Sequence, residues 1–191
     1  MSLTVAVYGA SSSRIDAAYV DAAKRLGALL AQMGAGIVCG GGCAGLMAAV
    51  TDGALEQGGR VTGVLPEFMI EKGWAHPGLT ERIVTDGMHT RKATMLGRAG
   101  AVIALPGGIG TFEELFEAMT WRQLNLWSGP IVILNTCGYY DSILAQLRRA
   151  DTDSFMRPCH RSLFAVASTP EEAARLVAEP DTAGPFEQKI D

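Results

Sequence analysis

The residues best suited to chemistry form one segment, Leu105-Pro106-Gly107-Gly108-Ile109-Gly110-Thr111-Phe112-Glu113-Glu114. It follows an apolar run that is typical of a buried strand, and it opens an amphipathic helix. Its closely spaced glycines let backbone N–H groups approach a ligand without interference from Cβ atoms. The helix adds N–H donors that have no intrahelical partner and the positive end of its dipole. Such an arrangement binds phosphate or carboxylate, so the sequence predicts an anion site here.

Two acids, Glu113 and Glu114, lie where the first turn of that helix is expected. The spacing from Thr111 to Glu114 is also typical of a capping box, in which Thr111 caps the helix and Glu114 reaches back to the N-cap amide. A helix start that needs only capping does not require the preceding glycines. The second interpretation therefore places a carboxylate beside a bound anion, which indicates a reaction of a phosphorylated molecule.

A second unusual segment contains an arginine that is expected to point inward. At helical spacing Met88, Arg91, Met95 and Arg98 share one stripe, and the apolar methionines should face the core. Because burying an unpaired charge is prohibitive, Arg91 needs an anionic partner. That partner is either a structural glutamate or, in the sharper interpretation, a phosphate or a catalytic carboxylate. Lys92 could reach the neighbouring face of the helix.

These segments need a scaffold that brings them together, and the pattern of elements predicts one. Strands and helices alternate, which indicates a doubly wound, Rossmann-like parallel sheet with helices on both faces. Three loops of small residues, 9–13, 40–42 and 106–110, follow strands. They should meet at the carboxyl edge of the sheet, where such folds bind ligands. We expect one nucleotide-binding α/β domain over residues 1–180 and a C-terminal tail over 181–191. The predicted strands are 3–8, 37–39, 60–65, 83–84, 101–105, 131–135 and 163–166. The first predicted helix ends at about residue 33, and the other main helices span 44–57, 88–98, 111–126, 140–149 and 170–178.

The loop after the second strand matches a dinucleotide-binding fingerprint, Gly40-x-Gly42-x-x-Gly45. The match is weak because the loop does not follow the first strand, and because Glu67, the acid past the next strand, lies too far on. A glycine-rich turn that serves another phosphorylated ligand is favoured. A P-loop is excluded, since the chain has no G-x-x-x-x-G-K-[ST] segment.

Composition limits the classes of function. The chain has 191 residues, of which 48% are hydrophobic and 19% charged, as expected of a globular α/β protein. Its net charge of −4 argues against a nucleic-acid partner. The first residues lead directly into a strand without the features of a signal peptide, and no apolar run reaches the length of about 20 residues that a membrane span needs. We expect a cytoplasmic protein that contacts no membrane.

The four cysteines, Cys39, Cys43, Cys137 and Cys159, show no C-x-x-C spacing. The prediction is that they are buried free thiols. A zinc site that combines Cys39 and Cys43 with one of the three histidines is the alternative, but its spacings match no known pattern. We expect neither a metal nor another cofactor.

Taken together, the two segments resemble the Lonely Guy (LOG) family of cytokinin-activating enzymes, long labelled lysine decarboxylase-like. The family signatures PGGxGTxxE and RKxxM stand here at residues 106–114 and 91–95. The flanking segments 40–47, 63–66 and 120–124 also look like the family, and the resemblance extends over residues 5–147. It implies hydrolysis of the N-glycosidic bond of a nucleoside 5′-monophosphate, such as AMP or a cytokinin nucleotide, to free base and ribose 5-phosphate.

The resemblance also implies roles for particular residues. Arg91 and Glu114 would be catalytic, and an acid after the strand at 63–66 would contribute, with Glu67 and Glu71 as candidates. A homodimer is implied as well, for which Trp121, Leu124, Leu126 and Trp127 offer an apolar surface. The substrate would be lined by Lys92, Gly107, Gly108, Ile109, Gly110, Thr111, Phe112, Glu113 and Thr120, and Gly42, Met88 and Glu67 complete the candidate set.

Two questions stay open at the level of sequence. The alternative function is a nucleotide- or molybdenum-cofactor-binding carrier on the same fold, which needs the glycine loops but not the paired Arg91 and Glu114. The label "lysine decarboxylase" is not supported by the sequence. That reaction needs a lysine that forms a Schiff base with pyridoxal phosphate, and only Lys92 lies in a motif that could form the site. Base specificity, AMP against a cytokinin nucleotide, is not indicated by any residue.

Overall fold

A computed structural model of the protein describes residues 2–179 and 184–186. Its centre is one seven-stranded sheet in which every neighbouring pair is parallel. The order is β4-β3-β2-β1-β5-β6-β7, so the chain winds outward in both directions from the middle pair, β1 and β5. The strands are β1 (Thr4–Tyr8), β2 (Gly36–Cys39), β3 (Val61–Pro66), β4 (Glu81–Thr85), β5 (Ala101–Ala104), β6 (Ile131–Leu134) and β7 (Ala165–Ala167).

Helices cover both faces of the sheet, as a parallel sheet requires. They are α1 (Ala17–Gln32), α2 (Gly45–Leu55), α3 (Glu67–Glu71), α4 (Met88–Gly97), α5 (Ile109–Gln123), α6 (Asp141–Thr152) and α7 (Pro170–Ala178). One apolar cluster joins α1, α2 and α7 to the sheet, and a second joins α4, α5 and α6 to the other face. The predicted α/β fold is therefore confirmed.

The helices α1 and α2 pack unusually closely, and two glycines allow it. A Cβ atom on Gly27 would lie 2.0 Å from the carbonyl oxygen of Val50, and one on Gly53 would lie 2.0 Å from that of Lys24. Each glycine thus faces the backbone of the other helix. This contact sets the position of α2 and hence of the loop 40–44, which leads into it.

The predicted elements are all present, with ends that differ by a few residues, but the sequence interpretation missed some short ones. The segment 66–80, expected to be irregular, begins with the five-residue helix α3. Short 3-10 helices also follow β6 and α6, at Thr136–Gly138 and Pro158–Ser162. None of the helices within the described residues is both long and apolar enough to cross a bilayer.

The predicted tail, 181–191, lies outside the described residues except for 184–186. There the backbone of Phe186 exchanges two hydrogen bonds with the side chain of Asn125, at 2.8 and 2.9 Å. The Phe186 ring is buried against the ring of His160. This part of the segment therefore packs on the domain.

The prediction that all four cysteines are buried is wrong for three of them. Cys39, within β2, is buried, whereas Cys43, Cys137 and Cys159 are exposed free thiols. Those three lie in loops or 3-10 turns, where residue type alone does not determine burial. Within residues 2–179 and 184–186, no three His, Cys, Asp or Glu side chains are grouped as metal ligands.

Candidate active site

Three loops meet at the carboxyl edge of the sheet and surround one cavity of about 620 Å³. They are residues 9–12 after β1, 40–44 after β2 and 108–111 at the start of α5. The strands β1 and β5 are neighbours, but the connections that follow them lead to opposite halves of the sheet, and this is where doubly wound folds open a crevice. The three small-residue loops thus lie together, as their positions after strands predicted.

A second cavity of similar volume, about 640 Å³, lies at the opposite edge of the sheet, and its lining includes Asn125, Trp127 and Phe186. Its lining residues include Arg122 but no carboxylate or histidine among those the structure describes. The carboxyl-edge cavity contains a carboxylate, a guanidinium group and free backbone donors together. We therefore take it as the candidate active site.

The start of α5 differs from the predicted capping box. The helix begins at Ile109 with Gly108 as its N-cap, and no side chain caps it. The N–H groups of residues 108–111 have no acceptor among the described residues. A Cβ atom on Gly108 or Gly110 would meet no other atom within 4 Å, so the cavity side of this turn is open. Free donors and open space form a cradle for an anion.

Gly107 contributes to the cradle without lining the cavity. A Cβ atom here would lie 2.1 Å from Oγ1 of Thr111, so only glycine lets the Thr111 side chain fold back onto the turn. Thr111 is buried and lines the cavity. Ile109, the first helical residue, is 83% exposed at the mouth of the cavity.

The catalytic candidates Arg91 and Glu114 form an ion pair on the floor of the cavity. Nη1 of Arg91 donates to Oε1 of Glu114 at 3.0 Å, and each side chain is 11% exposed. Nε of Arg91 donates to the carbonyl of Val64 at 3.0 Å, which fixes the plane of the guanidinium. A Cβ atom on Gly40 would lie 2.1 Å from Nη2, so the absence of a side chain at Gly40 makes room for Arg91.

The sequence interpretation placed Glu113 and Glu114 in the first turn of the helix, and this is wrong. Because α5 begins at residue 109, both lie in its second turn. The Glu114 carboxylate therefore pairs with Arg91 and does not reach the N-cap amide. Burial raises the pKa of Glu114 above its ordinary value, and the nearby Arg91 charge partly offsets this. The side chain is thus a carboxyl group whose protonation is set by one cation and a largely dry environment.

Lys92 points to a different place from Arg91. Its ammonium group contacts Oε1 of Glu113 at 2.7 Å and Oε1 of Glu117 at 3.3 Å, and the side chain is 6% exposed. The hydrogen bond with Glu113 raises the pKa of Lys92 despite the opposing effect of burial. Neither Lys92 nor Glu113 lines the cavity. The two motifs therefore contribute one ion pair inside the site and one on the outer face of α5.

The other predicted site residues divide in the same way. Gly42 and Met88 line the cavity, whereas Phe112 packs edge-on against the Tyr140 ring. Thr120 is exposed and its hydroxyl donates to the carbonyl of Phe116 at 2.7 Å. Glu67 is exposed at the start of α3 and does not line the cavity. The same holds for Glu71, at the end of that helix.

The fourth side of the cavity was not predicted, because it comes from the irregular segment 66–80. Trp74 and Met69 of this segment line the cavity together with Met47 of α2 and Met88 of α4. Two backbone hydrogen bonds tie this segment to the loop 40–44 after β2. The N–H group of Cys43 donates to the carbonyl of Trp74 at 2.9 Å, and that of His76 donates to the carbonyl of Gly41 at 2.8 Å. A tryptophan in a loop was the available signal, since such a residue needs an apolar surface to cover.

Comparison with known proteins gives a consistent picture. The family model described as "possible lysine decarboxylase" matches residues 47–177. The chain is 40% identical over 163 residues to a cytokinin riboside 5′-monophosphate phosphoribohydrolase of Rhodococcoides fascians, covering 85% of this chain and 82% of that protein. It is 38% identical over 168 residues to an Arabidopsis thaliana protein of the same name, covering 88% and 74%.

Among solved structures, a molybdenum cofactor binding protein from Rippkaea orientalis has the same fold, with a TM-score of 0.71. The alignment covers 93% of this chain and 96% of that one at 22% sequence identity. At that identity the similarity concerns the arrangement of the backbone.

Proposed function

Because the chain belongs to the possible lysine decarboxylase family, also known as the Lonely Guy family, we propose that it is a nucleoside 5′-monophosphate phosphoribohydrolase. It hydrolyses the N-glycosidic bond of an adenosine 5′-monophosphate, plain or N6-substituted, to the free base and ribose 5-phosphate. The relatives named as phosphoribohydrolases align with more than four fifths of the chain. No resident cofactor or metal enters this reaction, and we propose that the protein acts in the cytoplasm.

The observation that carries the proposal is the buried pair of Arg91 and Glu114 beside the free N–H groups of the α5 turn. The donors suit a 5′-phosphate, and the carboxylate suits a positive charge that develops on the ribose. A carrier of a phosphorylated ligand needs only the first of these. Glycosidic hydrolysis passes through an oxocarbenium-like transition state, and a carboxylate in a largely buried position can stabilise that charge.

The steps follow from this geometry. As the C1′–N bond lengthens, the ribose becomes oxocarbenium-like, and the Glu114 carboxylate stabilises that cation. Glu114 then accepts a proton from the attacking water, whose oxygen forms the new bond to C1′. The proton that Glu114 has accepted then passes to the nitrogen of the departing base, which leaves as the neutral free base and restores the carboxylate. Arg91 keeps the carboxylate in position through its bond to Oε1.

Decarboxylation of lysine, the reaction in the description of the family, does not fit the site. A Schiff base requires a neutral amine, and the pKa of Lys92 is raised by its hydrogen bond to Glu113. Lys92 also lies outside the cavity, and so do Lys24 and Lys72 among the described residues. Among the residues that the structure describes, no lysine amine therefore reaches the cavity to form such a Schiff base.

The apolar side of the cavity fits the base. Met47, Met69, Trp74 and Met88 face it, and thioether and aromatic groups suit a planar heterocycle with an apolar substituent. This surface is compatible with an N6-prenylated adenine as well as with adenine.

The direct test is to incubate the protein with AMP and with N6-isopentenyl-AMP and to follow free base and ribose 5-phosphate. We expect both products in equal amounts from at least one of the two. Tight binding of either nucleotide without release of base would favour the carrier, and the proposed hydrolase would then be wrong.

The pH dependence of the reaction should report on Glu114. If the carboxylate is the active form, kcat/KM falls as the pH falls through the raised pKa of Glu114. Arg91→Met removes the cation that lowers this pKa, so the acidic limb should move to higher pH. The measurement is kcat/KM against pH for both proteins with the same nucleotide. A limb at the same pH in the variant would assign it to another group.

We also propose a homodimer. Leu124 and Leu126 are exposed just after α5, and Trp121 and Trp127 beside them are half-buried, which leaves an apolar patch. Light scattering at micromolar concentration should give the mass of two chains. Leu126→Lys, at an exposed position, should give the mass of one chain without loss of helical signal. A wild-type protein with the mass of a single chain would exclude the dimer.

A further inference from the structure

Three successive carbonyl groups before the phosphate cradle are each held by a hydrogen bond. The hydroxyl of Tyr140 donates to the carbonyl of Leu105 at 2.7 Å, and that of Tyr139 donates to the carbonyl of Gly107 at 2.6 Å. Between them, the N–H group of Ala10 donates to the carbonyl of Pro106 at 3.1 Å. The backbone that leads into the cradle is thus fixed peptide by peptide.

The bond to Gly107 has a direct geometric consequence. In a trans peptide the carbonyl and the next N–H group point in opposite directions across one plane. When Tyr139 holds the carbonyl of Gly107, the N–H group of Gly108 must point away from Tyr139. Gly108 lines the cavity and Tyr139 does not, so this orientation presents the first donor of the cradle to a ligand.

We propose that Tyr139 is a positioning residue that orients the Gly107–Gly108 peptide for binding of the substrate's 5′-phosphate, with Tyr140 holding the Leu105–Pro106 peptide two residues earlier. The proposal rests on the function proposed above and adds to it a residue outside the cavity. Its physical basis is preorganisation: a donor held in place before the ligand arrives needs no reordering when the ligand binds.

The turn that carries the two tyrosines is itself held firmly. The side chain of Asn135 accepts a bond from the Tyr140 N–H group at 2.7 Å and donates to Asp141 at 2.8 Å. The Tyr139 ring is flanked edge-on by Tyr140 and by Tyr19, with centroids 5.2 and 6.0 Å away. Burial raises the pKa of Tyr140, so its hydroxyl remains a donor.

Tyr139→Phe is the informative variant, because it removes one hydroxyl and keeps the ring. Tyr139 is 41% exposed, so this change should leave the fold intact. Two measurements are needed: kcat/KM for AMP and for adenosine, and the affinity for ribose 5-phosphate by calorimetry. We expect about a tenfold loss in the AMP value and in the affinity, with adenosine within about twofold of wild type.

The matched control is Tyr19→Phe. Its hydroxyl has no hydrogen-bond partner among the residues that the structure describes, although its ring contacts Tyr139. All values should stay near wild type in this variant. Equal losses of kcat/KM for AMP and adenosine in Tyr139→Phe would indicate a general structural role. Unchanged kcat/KM for both would show that the Tyr139 hydroxyl does not orient the Gly107–Gly108 peptide for binding. Both results would overturn the proposal.

Failure of the proposed function gives a different pattern. If the wild type releases no base from any nucleotide, the binding arm still decides the role of Tyr139. A tenfold weaker affinity for ribose 5-phosphate would then support the brace in a protein that only binds its ligand. An unchanged affinity would contradict it.

Discussion

Glu114→Gln is expected to lower kcat by about 100-fold or more and to leave nucleotide binding near that of the wild type. The amide has the size of the carboxylate, and its oxygen can still accept the bond from Nη1 of Arg91. It carries no negative charge, however, and cannot take a proton from water. Steady-state kinetics would give kcat, and calorimetry with the same nucleotide would give the affinity, so the two effects can be separated.

The matched control for this variant is Glu117→Gln, one turn further along α5. Glu117 contacts Lys92 at 3.3 Å and does not line the cavity, and Lys92 keeps its shorter contact with Glu113. We expect kcat within about twofold of wild type here, since no transition-state contact is lost. If Glu114→Gln retains more than about a tenth of wild-type kcat, Glu114 is a structural partner of Arg91 and the nucleophilic water is activated elsewhere.

Removing the 5′-phosphate from the substrate should cost about 10³-fold or more in kcat/KM, although the bond that breaks is unchanged. Charge-assisted hydrogen bonds contribute about 1.5–3 kcal/mol each, and the cradle offers two or three of them. Binding energy at the phosphate can also lower the barrier at the sugar, so part of the loss should appear in kcat. The comparison is between adenosine and AMP.

Gly108→Val tests whether the discrimination arises in the cradle. Gly108 has a φ of −88°, which L side chains accept, and a Cβ atom there points into open space. Its added methyl groups should therefore fill the cradle without disturbing the fold. We expect AMP to fall to the level of adenosine in this variant. Similar kcat/KM values for adenosine and AMP in the wild type would place the phosphate elsewhere.

Much of the fold could be predicted because its signals are local. Continuous apolar runs such as those at β5 and β6 are long enough for a strand and are closed by glycine or proline. Their alternation with amphipathic helices allows few topologies, and the right-handed crossover selects among them. The meeting of the three glycine loops follows from that topology alone.

The details of the site depended on contacts that the sequence does not encode locally. The spacing from Thr111 to Glu114 suits a capping box, but α5 begins two residues before Thr111 because Gly108 can act as N-cap. Glu114 then faces Arg91, which is 23 residues away in sequence. For Lys92, a neighbour of Arg91 in sequence, the helical turn directs the side chain to Glu113 instead of the cavity.

The sides of the cavity differ in how they are attached to the protein. The loops after β1, β2 and β5 continue the central strands, so displacing them would disrupt the hydrogen bonds of the sheet itself. The side that carries Trp74 is exposed and rests on the glycine loop through a few bonds, among them those of Cys43 and His76. Local opening takes less free energy where few buried contacts are lost. We therefore expect a ligand to enter and leave through local opening around Met69 and Trp74, while the groups that act on it keep the stability of the whole domain.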